Sequence, residues 1–384
     1  MKESIALALL LLLALVLIPL LAIGGERGTL PNPFDTAANR SASSGQEKIS
    51  AQPDADINPN ADAQEALDEL LAQYTQANGA SNPIGAGNNF RIRTLTTGEV
   101  ATVSVRDYVI GAVACEMPAS FSEEALKAQA VAAHTYALRR KLDAAKQTDP
   151  KLKEADFEAD PPNYKGYMTE ELARTWFGDN FDVYWGRITQ ACDAVLGKVL
   201  VYENEPIVAA YHSMSAGLTE SAETVWQTGV PYLVPVESAG DMLARNFEVE
   251  TDVLADEVKG LLVAKYAEIE LPSDKKKWFN IKARSESGTI MELAVGDVTM
   301  SGQEAREMFS LRSANFTVEY ANNKFTFTTL GYGHGVGLSQ YGADYMARQG
   351  ATFEEILAHY YTGAVLVDTA APSTGTGSGE EGEG

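Results

Sequence analysis

The chain has 384 residues, 45% of them hydrophobic, two cysteines and a net charge of −23. That charge argues against a body that binds nucleic acid or anionic lipid, since both need basic patches, and two cysteines leave the redox compartment open. The length and apolar fraction supply one large core or two smaller ones.

The N-terminal run SIALALLLLLALVLIPLLAI, residues 4–23, has the length a helix needs to cross about 30 Å of hydrocarbon. It is longer than the apolar core of a signal peptide, and no Ala-x-Ala site follows Ile23. Residues 1–25 are therefore expected to form a cytoplasmic tip and an uncleaved transmembrane anchor, a cleaved leader being the alternative. Lys2 precedes the span while Glu26 and Arg27 follow it, so orientation rests on the short flank staying in the cytoplasm while the body is exported. Residues 26–89 carry Pro, Asn, Gly, Ser, Ala and Asp with one short helical patch at 63–77, and read as a flexible acidic linker. Residues 369–384, ending EEGEG, read as a disordered acidic tail.

From Phe90 the pattern changes. FRIRTLTTGEVATVSV alternates around Thr97-Gly98 and predicts a hairpin. RDYVIGAVACEM predicts a helix that stops at Pro118, and SEEALKAQAVAAHTYALRRKL, residues 122–142, predicts another, with Ser122 as N-cap and Glu123 and Glu124 in its first turn. Residues 143–182 read as a charged excursion with a short helix at TEELARTWF. Strands follow at GKVLVYE and PIVAAYHS, then at WFNIKARS and TIMELAVGDVTM across Ser287-Gly288. SGQEAREMF opens on a capping box, Ser301 to Glu304. FTVEY and KFTFTTLGY alternate, and two helices close the domain, LSQYGADYMARQ and TFEEILAHYYT, the second capped by Thr352 and Glu355. The expected fold is α+β, a single mixed globular domain over residues 90–368 behind the anchor and tether.

In a helix over 106–117, Val109, Ala112, Val113 and Glu116 share one face. A carboxylate on a core-facing stripe is pushed toward its neutral form by desolvation, which suits a general acid. The other reading turns Glu116 into solvent at the helix end or pairs it with a lysine. Gln129 lies on the stripe of Leu126, Ala130 and Ala133; it holds Glu116 or caps a neighbouring carbonyl. His212 ends an apolar strand and leads into Ser213, Ser215 and Gly217, a place where binding residues collect. A serine hydrolase is disfavoured because G-x-S-x-G is absent, and Ser273 to Lys276 sits in a lysine-rich loop where an S-x-x-K match arises by chance. Cys115 and Cys192 stand among apolar neighbours, which favours two buried free thiols over one disulfide, and Cys115 has no base or helix N-terminus to activate it. No C-x₂-C or H-x₃-H spacing exists, which disfavours zinc. Residues 331–350, GYGHGVGLSQYGADYMARQG, hold a glycine run whose only internal side chains are Tyr332, His334 and Val336.

Three blocks carry a resemblance. EMPASFSEEALKAQAVAAHTYALR, AYHSMSAGLTESAETVW with PYLVPVES, and GYGHGVGLSQYGADYMARQGATFEEILAHYYTG, in that order over roughly residues 92–368, resemble the signature blocks of the stage II sporulation protein D family, which includes the amidase enhancers of cell-wall autolysis. The resemblance implies a membrane-anchored lytic transglycosylase that cuts peptidoglycan between N-acetylmuramic acid and N-acetylglucosamine, with Glu116 of the EMP block as catalytic acid. The sugar's own 6-hydroxyl would attack the anomeric carbon, so one carboxyl can protonate the leaving oxygen and then accept a proton, giving a 1,6-anhydro product. A water-using glycosidase needs two carboxyls.

The glycine loop is then expected to let backbone amides and His334 reach the glycan, with His334, Gln340 and Tyr341 opposite Glu116, and His212 and Ser215 on a third wall; His334 as a hydrogen-bonder of its own loop is the rival. Family members usually carry Arg at the position of His134. Some bind zinc through Cys and His in the connection after this helix, but residues 143–182 contain neither, so no metal and no cofactor are expected. Implied partners are denuded glycan strands, a peptidoglycan amidase and membrane proteins of the engulfment machinery. The alternative function is a non-catalytic cell-wall binder that enhances an N-acetylmuramoyl-L-alanine amidase.

Overall fold

Residue patterning accounts for most elements of the fold, which the computed structural model describes over residues 59–78, 89–146 and 149–368. The apolar run at 4–23, most of the linker and the acidic tail lie outside the described residues. Helix α1, Pro59–Asn78, falls in the segment expected to be a flexible tether. Ala63, Leu67 and Leu71, four residues apart, line one face of it and are buried with Leu138, Leu142, Val199 and Val367. The helix is thus docked on the body.

Strands β1 (Asn89–Thr94) and β2 (Val100–Ser104) form the expected hairpin. Ser104 then caps α2 (Val105–Glu116), accepting from the Asp107 N–H. Helix α3 (Glu123–Lys146) is buried along much of its length, and its alanines let neighbours approach closely on several sides. Its Thr135 hydroxyl donates to the Val131 carbonyl and accepts from the Leu200 N–H, tying the helix to the strand beside it.

The segment expected to be an excursion returns to the sheet. Strand β3 (Phe157–Ala159) pairs parallel with β1, and Phe157 packs its ring against Phe90 and Tyr108. Helix α4 (Glu170–Phe177) is capped by Thr169. Helix α5 (Phe181–Val195), which the sequence reading does not separate from the following strand, buries Ile188, Ala191, Cys192 and Val195, a spacing of one helical face. Then come β4 (Lys198–Tyr202), β5 (Glu205–Pro206), β6 (Tyr211–His212) and the short α6 (Ala222–Trp226).

A second core follows. It comprises β7 (Glu248–Leu254), α7 (Ala255–Lys265), β8 (Phe279–Arg284), β9 (Ile290–Val295), β10 (Val298–Met300), α8 (Gly302–Met308), β11 (Phe316–Ala321) and β12 (Lys324–Leu330). Two three-stranded antiparallel sheets, ordered β10-β9-β8 and β11-β12-β7, enclose Trp278, Phe309, Phe316, Phe325 and Phe327. The capping box of Ser301 and Glu304 forms as expected.

The chain then returns to the first core through β13 (Leu338–Ser339), α9 (Gln340–Arg348), α10 (Phe353–Tyr360) and β14 (Val365–Asp368). Strand β13 pairs parallel with β6, and β14 antiparallel with β4. The fold is mixed α and β, as expected, but built on two cores. Among the described residues no helix is long and apolar enough to cross a membrane.

Docking of α1 makes a measurable claim. Leu67→Ala should lower unfolding free energy by about 2–5 kcal/mol in a urea titration, the range for a leucine removed from a packed core. An unchanged midpoint would mean that the helix does not belong to the folded body.

Candidate functional site

Glu116 is the last residue of α2, and Met117 leaves the helix in extended conformation (φ −126, ψ 135) because Pro118 follows. Its carboxyl is half-buried. Burial holds the pKa above the usual carboxylate range, and a hydrogen bond from the Gln340 side chain pulls part of the way back. Gln340 is the first residue of α9, and its Nε2 also stands 3.5 Å from Gln129 Oε1. Gln129 is completely buried in α3. The two amides form a relay ending on the carboxyl: Gln129 positions Gln340, and Gln340 touches Glu116. Beside them is Tyr211, whose phenol is raised by burial and by the Glu116 charge.

The Asp344 carboxylate accepts from the Ser122 N–H at 2.7 Å, so an α9 side chain caps the entrance of α3 and fixes Gln340 over Gln129. Tyr341, next in α9, packs edge-on against Phe121 with ring centroids 5.0 Å apart. The 116–122 loop and the start of α9 thereby form one wall.

The glycine run serves a different end from the one expected. Several of its amides are occupied by protein carbonyls: Tyr332 N–H by Met214, Gly333 by Arg312 and Leu338 by Ala210. At Gly333 (φ +116) a Cβ would stand 2.8 Å from His212 Cβ, and at Gly337 (φ +73) 2.1 Å from the Ala210 carbonyl oxygen. These glycines let the loop press onto the strand that carries His212.

His334 is likewise tied to that junction. Its Nδ1 accepts from the Val336 N–H at 3.0 Å, and its ring also hydrogen-bonds the Tyr211 backbone, so the rival reading describes its nitrogens. One ring face remains for Trp226, at 5.4 Å between centroids, and the ring lies 5.7 Å from that of His212. Trp226 is 41% exposed and offers an aromatic surface that sequence reasoning does not single out, although it ends one of the quoted blocks. His212 is buried, and its Nδ1 donates to the Val336 carbonyl at 3.1 Å.

The polar atoms of Ser215 are committed to a buried acid. Its hydroxyl and N–H both donate to Asp241 Oδ2, at 2.6 and 2.7 Å, while the Ser339 hydroxyl donates to Asp241 Oδ1 at 2.6 Å. Asp241 is fully buried and escapes a reading of the sequence, because nothing in ESAGDML distinguishes a buried acid from a surface one. The Cys115 thiol donates to the Tyr164 carbonyl and is pushed up by burial, which leaves it unfit as a nucleophile. Both cysteines are free. Among the described residues no group of three or more His, Cys, Asp or Glu could hold a metal ion. His134 is buried and lowered to about 4 by desolvation.

Two expected outcomes follow from these environments. Because the Gln340 hydrogen bond favours ionised Glu116, Gln340→Met should move the carboxyl titration midpoint of Glu116, followed by carbon NMR, to higher pH; an unmoved midpoint would break the relay. Burial lowers His212 to about 3 and, with Arg306 nearby, His334 to about 4, whereas an unfolded histidine titrates near about 6.5. The fold favours neutral rings, so their contribution is complete above that pH and is lost as pH falls through the window below it. The drop in melting temperature between about pH 7 and 5 should be smaller in His212→Gln than in wild type, and an equal drop would show that the ring is not held neutral.

A family model described as Stage II sporulation protein matches residues 94–202, a span that includes Glu116 and Gln129. Stage II sporulation protein D of Bacillus subtilis (strain 168) is 35% identical over 273 residues, 71% of this chain and 77% of that protein. Its counterpart from Bacillus amyloliquefaciens is 34% identical over 264 residues, 69% of this chain and 74% of that protein. An amidase enhancer from Bacillus subtilis (strain 168) is 28% identical over 308 residues, 67% of this chain but 40% of that protein. With a relative matched at this identity over most of both chains, this protein belongs to the stage II sporulation protein D family.

Proposed function

We propose that this protein is a lytic transglycosylase that cleaves peptidoglycan glycan strands between N-acetylmuramic acid and N-acetylglucosamine, leaving 1,6-anhydro ends, in the engulfment stage of sporulation. The observation that carries the reading is the state of Glu116: its carboxyl is half-buried, raised by burial and oriented by Gln340. A carboxyl whose burial favours protonation donates to the departing glycosidic oxygen, then takes the proton of the 6-hydroxyl as that oxygen attacks the anomeric carbon. One group performs both steps, so the second carboxyl of a hydrolytic enzyme is not required. Gln340 and Gln129 act as positioning residues; Trp226, backed by the His334 ring, presents a surface on which a sugar face can lie; Tyr341 borders the same wall, and His212 and Ser215 support it from behind.

On this reading the N-terminal apolar run is a single-pass anchor and the body works on the extracytoplasmic side, on strands that an amidase has stripped of peptide, alongside membrane proteins of engulfment. The likeness to an amidase enhancer supports a second reading, in which the protein binds wall material without cutting it and stimulates an amidase.

Glu116→Gln separates the two. It keeps shape and hydrogen bonding but removes the transferable proton, so cleavage should fall by about 10²–10⁴-fold, with the melting temperature unchanged or slightly raised as a desolvated charge disappears. Mass spectrometry of wild-type products should find 1,6-anhydro-N-acetylmuramic acid ends. Wild-type-like cleavage by the variant removes Glu116 from the mechanism, reducing ends would make the enzyme a hydrolase, and no glycan fragment from wild type would leave the enhancer reading.

A further inference from the structure

Arg312 lies in the loop between α8 and β11, where the second core meets the glycine run: its carbonyl accepts from the Gly333 N–H. The side chain is 7% exposed, and its guanidinium lies over the Tyr332 ring, 4.4 Å from the centroid. Nε and Nη1 are both buried without a hydrogen-bond partner among the described residues. These atoms lie on different edges of the guanidinium plane, so each edge of the fork keeps an unmet N–H. A buried cation in that condition is costly unless something pairs with it.

The charge acts on the site wall. Tyr341 is raised by burial and drawn back by Arg312, and Tyr341 follows Gln340, the residue that holds Glu116. Arg306 adds a second positive charge beside Tyr332 and the two histidines, although its Nη1 is within reach of Gln303. Cations gathered here, in a chain of net charge −23, point to an anionic group on the ligand. A planar fork favours a carboxylate, which it can meet through two parallel N–H bonds.

We infer that Arg312 is the anion receptor of this site and that it takes the free lactyl carboxylate of an N-acetylmuramic acid whose stem peptide has been removed. The inference rests on the glycan reading above. Every second sugar of a stripped strand carries this carboxylate. While the peptide is attached, the same carbon is a neutral amide, which leaves the guanidinium unpaired, so Arg312 selects stripped strands and sets the order in which amidase and glycan cleavage act.

The test measures binding by the full chain to three ligands: stripped strands, the same strands with their lactyl carboxylates converted to methylamides, and strands that keep their stem peptides. Glu116→Gln is present in every chain so that strands are not cut. The chain with Arg312 should bind the acid form at least about tenfold more tightly than the methylamide, the scale of a charge-assisted hydrogen bond, and Arg312→Gln should bind all three equally weakly. Arg312→Gln should melt no lower, since it removes an unpaired buried charge. Should it fail to fold, Arg312→Lys carries the test: the charge stays, the fork is lost, and the preference for the acid form must shrink. Equal binding of acid and methylamide, or a preference that survives loss of Arg312, overturns the assignment while leaving the glycan reading intact. Stem-bearing strands held as tightly as stripped ones would place a peptide carboxylate on Arg312 and overturn it also. Binding to none of the three sinks the glycan reading and the role of Arg312 with it.

Discussion

The site depends on one buried carboxylate that takes no part in its chemistry. Asp241 accepts both donors of Ser215 and the hydroxyl of Ser339, joining the loop after β6 to the strand before α9. Ser339 in turn caps α9 by accepting the Gly342 N–H. A charge removed from water is stabilised only by such convergent donors, so the network tolerates little displacement. With Ser339 held, Gln340 follows, and through Gln340 the orientation of Glu116. At Gly342 a Cβ would stand 2.2 Å from the Ser238 oxygen and 2.0 Å from that of Tyr360, so the helix start packs against these hydroxyls without room for a side chain.

Two opposed effects set the state of Glu116. Burial disfavours the carboxylate, and the amide of Gln340 favours it. Either influence alone would bias the carboxyl toward one protonation state. The histidines nearby are kept neutral by burial, and the Nδ1 atom of each holds the loop at Val336. The positive charge of this region therefore comes from arginines of the second core, which would be a remote appendage if its connecting loop did not reach the glycine run.

Capping and periodicity are legible in the residues themselves. Ser301 with Glu304 and Thr352 with Glu355 form capping boxes where expected, since these signals are local. Helix α5 also carries a readable stripe, but it begins in a segment whose charges and prolines point to an excursion rather than to a chain that folds back. The docking of α1 is not legible: Ala63, Leu67 and Leu71 mark a face, yet only β14 and its neighbours, distant in sequence, say what that face covers. The second core cannot be separated from the first for the same reason, as its strands are paired by contacts that alternating patterns do not specify.

Glu116 can be singled out because an acid on an apolar helical stripe conflicts with its surroundings, and such a conflict is visible locally. The glycine run is equally visible, but its purpose is not, since dense glycine signals close approach without saying to what. The sequence by itself determined many of the elements, two capping boxes, the position of one unusual carboxyl and the family blocks. Only the tertiary structure decided that the glycines face β6, that the ring nitrogens of His334 are occupied, that Ser215 serves Asp241, and that Nε and Nη1 of Arg312 find no partner among the described residues. Helix periodicity and capping arise from neighbours along the chain, whereas burial and hydrogen-bond satisfaction depend on residues far apart in it, brought together by packing.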